Sequence, residues 1–137
     1  MKFRYQIPLF FLAGSILYPI IELLYRGWTH LSMCLLGGLA LVAVILVDKA
    51  LGERRFLLKA GLSTVLITQM EFIFGVYLNL HRRLAVWDYS DRLWDIAGQV
   101  CPLFSFYWFL LSLGCILFWN FAQGKISLPK KKTAADS

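Results

Sequence analysis

Two glutamates stand inside stretches that are otherwise apolar enough to cross a bilayer, and they define the chemistry open to this chain. Glu22 falls near the end of the first stretch. Glu71 falls about eight residues before the end of the third, roughly 12 Å deep at about 1.5 Å of rise per residue. A charge at such depth costs on the order of 3 kcal/mol even on lenient insertion scales, so both acids are expected to face the bundle interior and to have partners. A carboxyl held in that way can bind a cation, carry a proton or grip a cationic group of a substrate.

Helical spacing shows what accompanies each acid. Ser15, Tyr18, Glu22 and Arg26 recur at steps of three, four and four, a polar stripe that ends in an i, i+4 Glu-to-Arg pair of the favoured polarity. Thr64, Thr68, Glu71, Gly75 and Asn79 make a second stripe. Ser105, Trp108, Ser112 and Cys115 make a weaker third one. Further candidates lie outside the apolar stretches: His30 in "RGWTHLS", and Trp87, Asp88, Tyr89, Ser90 and Gln99 in "VWDYSDRLWDIAGQVC". Ordered along the spans, these residues collect at one end. They predict a polar pocket of Glu22, Arg26, His30, Glu71, Trp87, Asp88, Tyr89, Ser90 and Gln99, open to one side of the membrane.

The elements that must position these residues follow from composition. Apolar residues make up 59% of the 137, and mean hydropathy is +0.65, which places the chain among integral membrane proteins. Four apolar runs reach the roughly 20 residues that a spanning helix needs, at about 7–25, 31–47, 56–80 and 98–121. The expected fold is therefore all-α: a four-transmembrane-helix bundle over 1–124 and a basic tail over 125–137. The Gly37–Gly38 pair in the second run would let a neighbouring backbone approach closely. Pro102 suits a first helical turn, whose N–H groups have no intrahelical acceptor. The first run contains Pro19 and Glu22 and has no small-residue cleavage site, so it reads as a retained helix and not as a signal peptide.

Basic residues orient the bundle. Lys2, Arg4, Lys49, Arg54, Arg55, Lys59, Lys125, Lys130, Lys131 and Lys132 fall on one side, against Arg26, Arg82, Arg83 and Arg92 on the other. The positive-inside rule then puts both termini in the cytoplasm and the candidate pocket outside. Trp28, Trp87 and Trp94 are expected at the headgroup level. The net charge of +6 is thus mainly a topology signal, and "PKKK" suits anionic lipid headgroups better than nucleic acid, which is not expected as a partner.

Several kinds of site are not legible. Cys34, Cys101 and Cys115 are odd in number and lie within or at the ends of spans, so they imply no disulfide framework, and their spacing matches no metal motif. The chain has no GxxxxGK followed by Ser or Thr, no HExxH and no CxxC. No cofactor is expected, and any coupling to ATP would need a separate ATPase subunit.

The segments "LYPIIELLYRGWTHLSMCLLGG" and "WDYSDRLWDIAGQVCPLFSFYWFLLS", with an acid between them in the third run, resemble the ABC-transporter type IV, or CmpB-like permease, family of small bacterial membrane proteins. The resemblance runs from about Tyr18 to Ser112, and Leu93 and Asp95 depart from the family pattern. It implies a multi-pass protein of the bacterial cytoplasmic membrane. It carries family-like positions onto Glu22, Arg26, Gly27, Thr29, His30, Ser32, Glu71, Trp87, Asp88, Tyr89, Ser90, Gly98, Gln99 and Cys101.

Three functional classes fit these residues. The favoured one is a permease-like protein that binds a cation, a proton or a small substrate, working as a homo-oligomer or with a partner, since four spans rarely enclose a full pathway. Its connection "DKALGERRFLLKAG" would meet a cytoplasmic subunit. The second is a membrane-embedded enzyme on a lipid or envelope substrate, with His30, Asp88 and Ser90 as acid/base groups and Arg82 and Arg83 holding a phosphate. The third is an accessory or structural subunit. The absence of a nucleophile or metal motif favours a non-enzymatic role.

Overall fold

The computed structural model describes residues 2–125; the predicted tail beyond Lys125 lies outside them. Four helices follow in order: α1 (Phe3–Arg26), α2 (Leu31–Leu51), α3 (Phe56–Gly75) and α4 (Pro102–Ala122). A π-helical turn, Val76–His81, extends α3. All four are long and apolar enough to cross a membrane, and among the described residues there is no strand. Much of their apolar surface is uncovered, with Leu9, Leu12, Leu24, Leu66 and Phe118 all exposed, as a lipid-facing surface requires.

Local sequence sets the helix ends. Gly27, at φ 80°, takes the left-handed position after α1 and donates its N–H to the Leu23 carbonyl at 3.0 Å. His30 caps α2, its Nδ1 accepting from the Ser32 N–H at 3.1 Å. Helix α4 begins at Pro102 as its sequence demands, later than the expected start at 98. Gly98 and Gln99 belong to the preceding loop, where Gly98 adopts φ 72°.

The helices meet in chain order, α1 on α2, α2 on α3 and α3 on α4, with α2 also touching α4. The α1–α2 crossing is built on small residues. A Cβ on Gly37 would come within 2.5 Å of Tyr18 Cβ, and one on Gly14 would run into the Gly37 carbonyl. Small residues at such crossings gain van der Waals contact without a large entropic cost, the main source of helix association in lipid. Two apolar cores result. One joins Ala40, Val44, Ala60, Ile67, Trp108 and Ile116 along the bundle, and the other joins Met33, Leu36, Leu78, Val86 and Trp87 under the long loop 82–101.

The end that holds the start of α1 and the end of α4 contains a polar cluster the sequence reading did not anticipate. Lys59 Nζ donates to Asp48 Oδ1 at 2.7 Å, and Asn120 Nδ2 donates to the same oxygen at 3.0 Å. All three side chains are buried, so one carboxylate ties α2, α3 and α4 together. Lys59 and Asp48 therefore belong to the bundle and not to an exposed connection, and α2 runs on to Leu51 because Asp48 is satisfied inside it.

Candidate functional site

Backbones of α1 and α4 do not come together, and aromatic side chains bridge the space between them. Phe10 meets Trp119 edge-on at 4.9 Å, Tyr18 stacks on Trp108 at 4.9 Å, and Tyr25 meets Phe104 at 6.1 Å. The space left near the loop end of the bundle is a cavity of about 450 Å³. Its α1 wall is Tyr18, Ile21, Glu22, Tyr25 and Arg26. Phe104, Tyr107, Trp108 and Leu111 of α4 form the other wall, and Tyr89 of the loop closes it. A smaller recess of about 100 Å³ lies further along the same two helices and shares Tyr18, Ile21, Trp108 and Leu111 with the first. Val44, Ala40 and Ile67 line it, beside a Ser112 hydroxyl that has no hydrogen-bond partner among the described residues.

Two carboxyls serve this cavity in different ways. Glu22 stands in its wall, paired with Arg26 at 2.7 Å and accepting from the Thr29 hydroxyl at 2.7 Å. The Arg26 guanidinium is committed elsewhere as well: Nη1 donates to the Val86 carbonyl at 2.7 Å, and the group lies 4.1 Å from the Trp28 ring centre. Glu71 is fully buried behind the wall. It accepts from the Tyr89 hydroxyl at 2.9 Å and from Trp108 Nε1 at 3.2 Å, so its two partners are themselves residues that line the cavity. The partners expected for Glu71 are thus two neutral donors. Tyr89 is held as a phenol, since burial and then the neighbouring Glu71 push its hydroxyl well above the ordinary range.

The loop over the cavity is fastened by one asparagine. Asn79 sits in the π-helical turn, where the wider coil carries its side chain into the loop. Its Oδ1 accepts from the N–H groups of Val86 at 2.7 Å and Trp87 at 3.3 Å, while its Nδ2 donates to Gln99 Oε1 at 2.8 Å. Gln99 passes the connection to the Ala97 carbonyl, and Trp87 Nε1 donates to the Gln99 carbonyl at 3.0 Å. Gly75 makes room for this layer, because a Cβ there would lie 2.5 Å from Gln99 Oε1 and 3.0 Å from the Trp87 ring.

Of the nine predicted site residues, Glu22, Arg26 and Tyr89 line the cavity, and Glu71 reaches it through hydrogen bonds. The other five do not line it. Trp87 and Gln99 are buried beneath the loop and hold its shape, whereas Trp28 and Trp94 are exposed. Asp88 is exposed and accepts from the Ser90 N–H at 2.9 Å; hydrogen bonds from Ser90 keep its carboxyl below the usual carboxylate range. These two residues shape a turn. His30 is engaged with Ser32, whose hydroxyl lies 2.6 Å from its Nδ1. Among the described residues no hydrogen bond links His30 to Asp88 or Ser90. Sequence reasoning missed the aromatic walls and Asn79, although Asn79 ends the second polar stripe and that position was the available signal.

Among the described residues no group of His, Cys, Asp and Glu is arranged to hold a metal ion. A family model described as "Putative ABC-transporter type IV" matches residues 9–134. No curated protein and no solved structure matches the chain.

Proposed function

The chain belongs to the ABC-transporter type IV family of multi-pass membrane proteins, and from that premise we propose that it is a permease-like subunit whose α1–α4 cavity takes up the transported species. Both termini face the cytoplasm and the cavity faces outward, in a bacterial cytoplasmic membrane, as the distribution of Lys and Arg favours. The observation that supports this reading most strongly is the juxtaposition of a cavity of about 450 Å³ with two carboxyls of different standing. Glu22 is neutralised in place by Arg26, whereas Glu71 has only neutral donors among the described residues. A carboxyl with neutral partners can accept a cation or a proton without first breaking an ion pair, which is what a carrier site needs.

Four spans do not enclose a pathway, so transport requires a second copy or a partner. A separate ATPase subunit has one suited surface at the cytoplasmic end. Because Asp48 and Lys59 are buried, the connection between α2 and α3 offers Glu53, Arg54 and Arg55, all exposed.

Complementation of a deletion strain tests the reading. Glu71→Gln preserves the shape of the side chain and removes its charge and its titration. The expected outcome is loss of complementation with normal membrane levels and an unchanged helical spectrum. Full complementation would sink the carrier role of Glu71 and leave it as a hydrogen-bond post. Reversing Arg54 and Arg55 to Glu should release any co-purifying ATPase.

A further inference from the structure

We infer that the cleft between α1 and α4 is a site for a single-chain amphiphile with a cationic ammonium head, the head in the aromatic chamber and the chain in the apolar recess below. This rests on the reading of that cleft as the substrate site and names the substrate class. The chamber presents Tyr18, Tyr25, Tyr89, Phe104, Tyr107 and Trp108 around one space. Aromatic faces carry negative quadrupole potential, and several around one volume form a cage selective for alkylated ammonium. Tyr89 and Trp108 direct their polar hydrogens to Glu71, so neither offers that hydrogen to an anionic head in the chamber. Charge around the chamber favours a cation: Arg26 and Glu22 offset one another at 2.7 Å, whereas Glu71, held behind the wall by Tyr89 and Trp108, has no ion-pair partner among the described residues.

Continuity with the recess calls for a chain on the ligand. The two spaces share Ile21 and Leu111, and the recess is otherwise walled by residues such as Leu17, Val44 and Ile67. Entry is lateral: Ile21, Tyr25 and Tyr107 are exposed on the surface that lipid covers. A partner helix does not fit the same gap. A helix with side chains is about 10 Å across, and the aromatic bridges at Phe10–Trp119, Tyr18–Trp108 and Tyr25–Phe104 cross the gap at three levels.

Native mass spectrometry of the purified chain in a non-ionic detergent tests this with alkyltrimethylammonium probes from butyl to dodecyl, against dodecyl sulfate. One ammonium probe should bind per chain, tightening about fourfold per methylene until the recess is full. Tyr107→Ala should weaken the dodecyl probe by about tenfold. Ser112→Leu, which fills the recess and does not line the chamber, should remove the dependence on chain length while leaving the butyl probe unaffected. Equal binding of dodecyl sulfate, or no effect of Tyr107→Ala, overturns the cationic assignment. The wider reading is judged separately by complementation with Leu111→Trp. If that variant fails to complement and no ammonium probe binds the wild-type chain, the ligand class is wrong and the cleft stands. If the folded variant complements fully, the cleft is not the site, and this inference falls with it.

Discussion

Replacing Asp48 by Leu should cost this bundle more stability than any other single polar change, and the structure supplies the magnitude. Asp48 Oδ1 lies 2.7 Å from Lys59 Nζ, and both side chains are almost fully buried, at 5% and 2% exposure. At an effective dielectric of about 20 the pair attracts by about 6 kcal/mol, against which stands the desolvation of both ions. Removing the carboxylate alone leaves that desolvation in place for Lys59. Asn120 relieves it only by turning its amide oxygen to Lys59, which gives up the Nδ2 bond to the Ile116 carbonyl. Breaking a buried pair from one side costs about 3–5 kcal/mol. Relaxation of the lysine stem toward the nearby interface sets the lower end of that range.

Unfolding in mixed micelles of mild detergent and dodecyl sulfate, followed by helical circular dichroism, measures the effect. The double variant Asp48→Leu with Lys59→Met is the decisive comparison. Two apolar side chains of similar length need no desolvation, so its stability should return to within about 1 kcal/mol of wild type or exceed it. A single variant that loses less than about 1 kcal/mol, or a double variant no better than the single, would refute the claim that an uncompensated buried charge causes the loss.

Other substitutions probe the remaining parts. Gly37→Val should force α1 away from α2, because even a Cβ meets Tyr18 at 2.5 Å; a loss of about 1–3 kcal/mol in the same unfolding assay is expected, whereas Gly61→Ala, with nothing near it, should be neutral or slightly stabilising. Trp87→Phe leaves the buried Gln99 carbonyl without its donor and should cost about 1–3 kcal/mol, read as faster hydrogen exchange across residues 86–100. Tyr89→Phe bears on pH. A phenol whose titration is raised in the folded state keeps its proton there while the unfolded chain loses it, so stability falls as pH rises above about 10, the ordinary phenol value. The variant should flatten that decline, and an unchanged slope would show that Tyr89 is not held neutral by the fold.

Legibility in the sequence followed the range over which the causes act. The four spans, the Glu22–Arg26 pair and the close approach at Gly37 each depend on local spacing or run length, and each is present. The Asp48–Lys59–Asn120 cluster joins residues on three helices at separations that no helical period relates, and its charges looked like those of a connection. The same holds for Trp87: its ring type suits a headgroup region, and its N–H found the Gln99 carbonyl, an acceptor supplied only once the loop folds over Gly75. His30 lies away from the cavity lining for the opposite reason, since the Ser32 N–H in the first turn of α2 captured its ring.

These placements explain why a cavity forms between α1 and α4. The α2, α3 and α4 helices are joined by a buried carboxylate and by the core at Ala60 and Ile116. The loop is joined to the π-helical turn by the Asn79 and Gln99 amides. Among the described residues the α1 helix has no comparable polar anchor in the middle of the bundle. Its backbone approaches α2 alone, through glycines, and beyond that crossing it depends on aromatic bridges and on the Arg26 bond to the Val86 carbonyl. Aromatic bridges hold two helices apart at the width of their rings, and space remains between successive bridges. The cavity is therefore a consequence of how α1 is attached: glycines draw it to one neighbour, and rings keep it from the other.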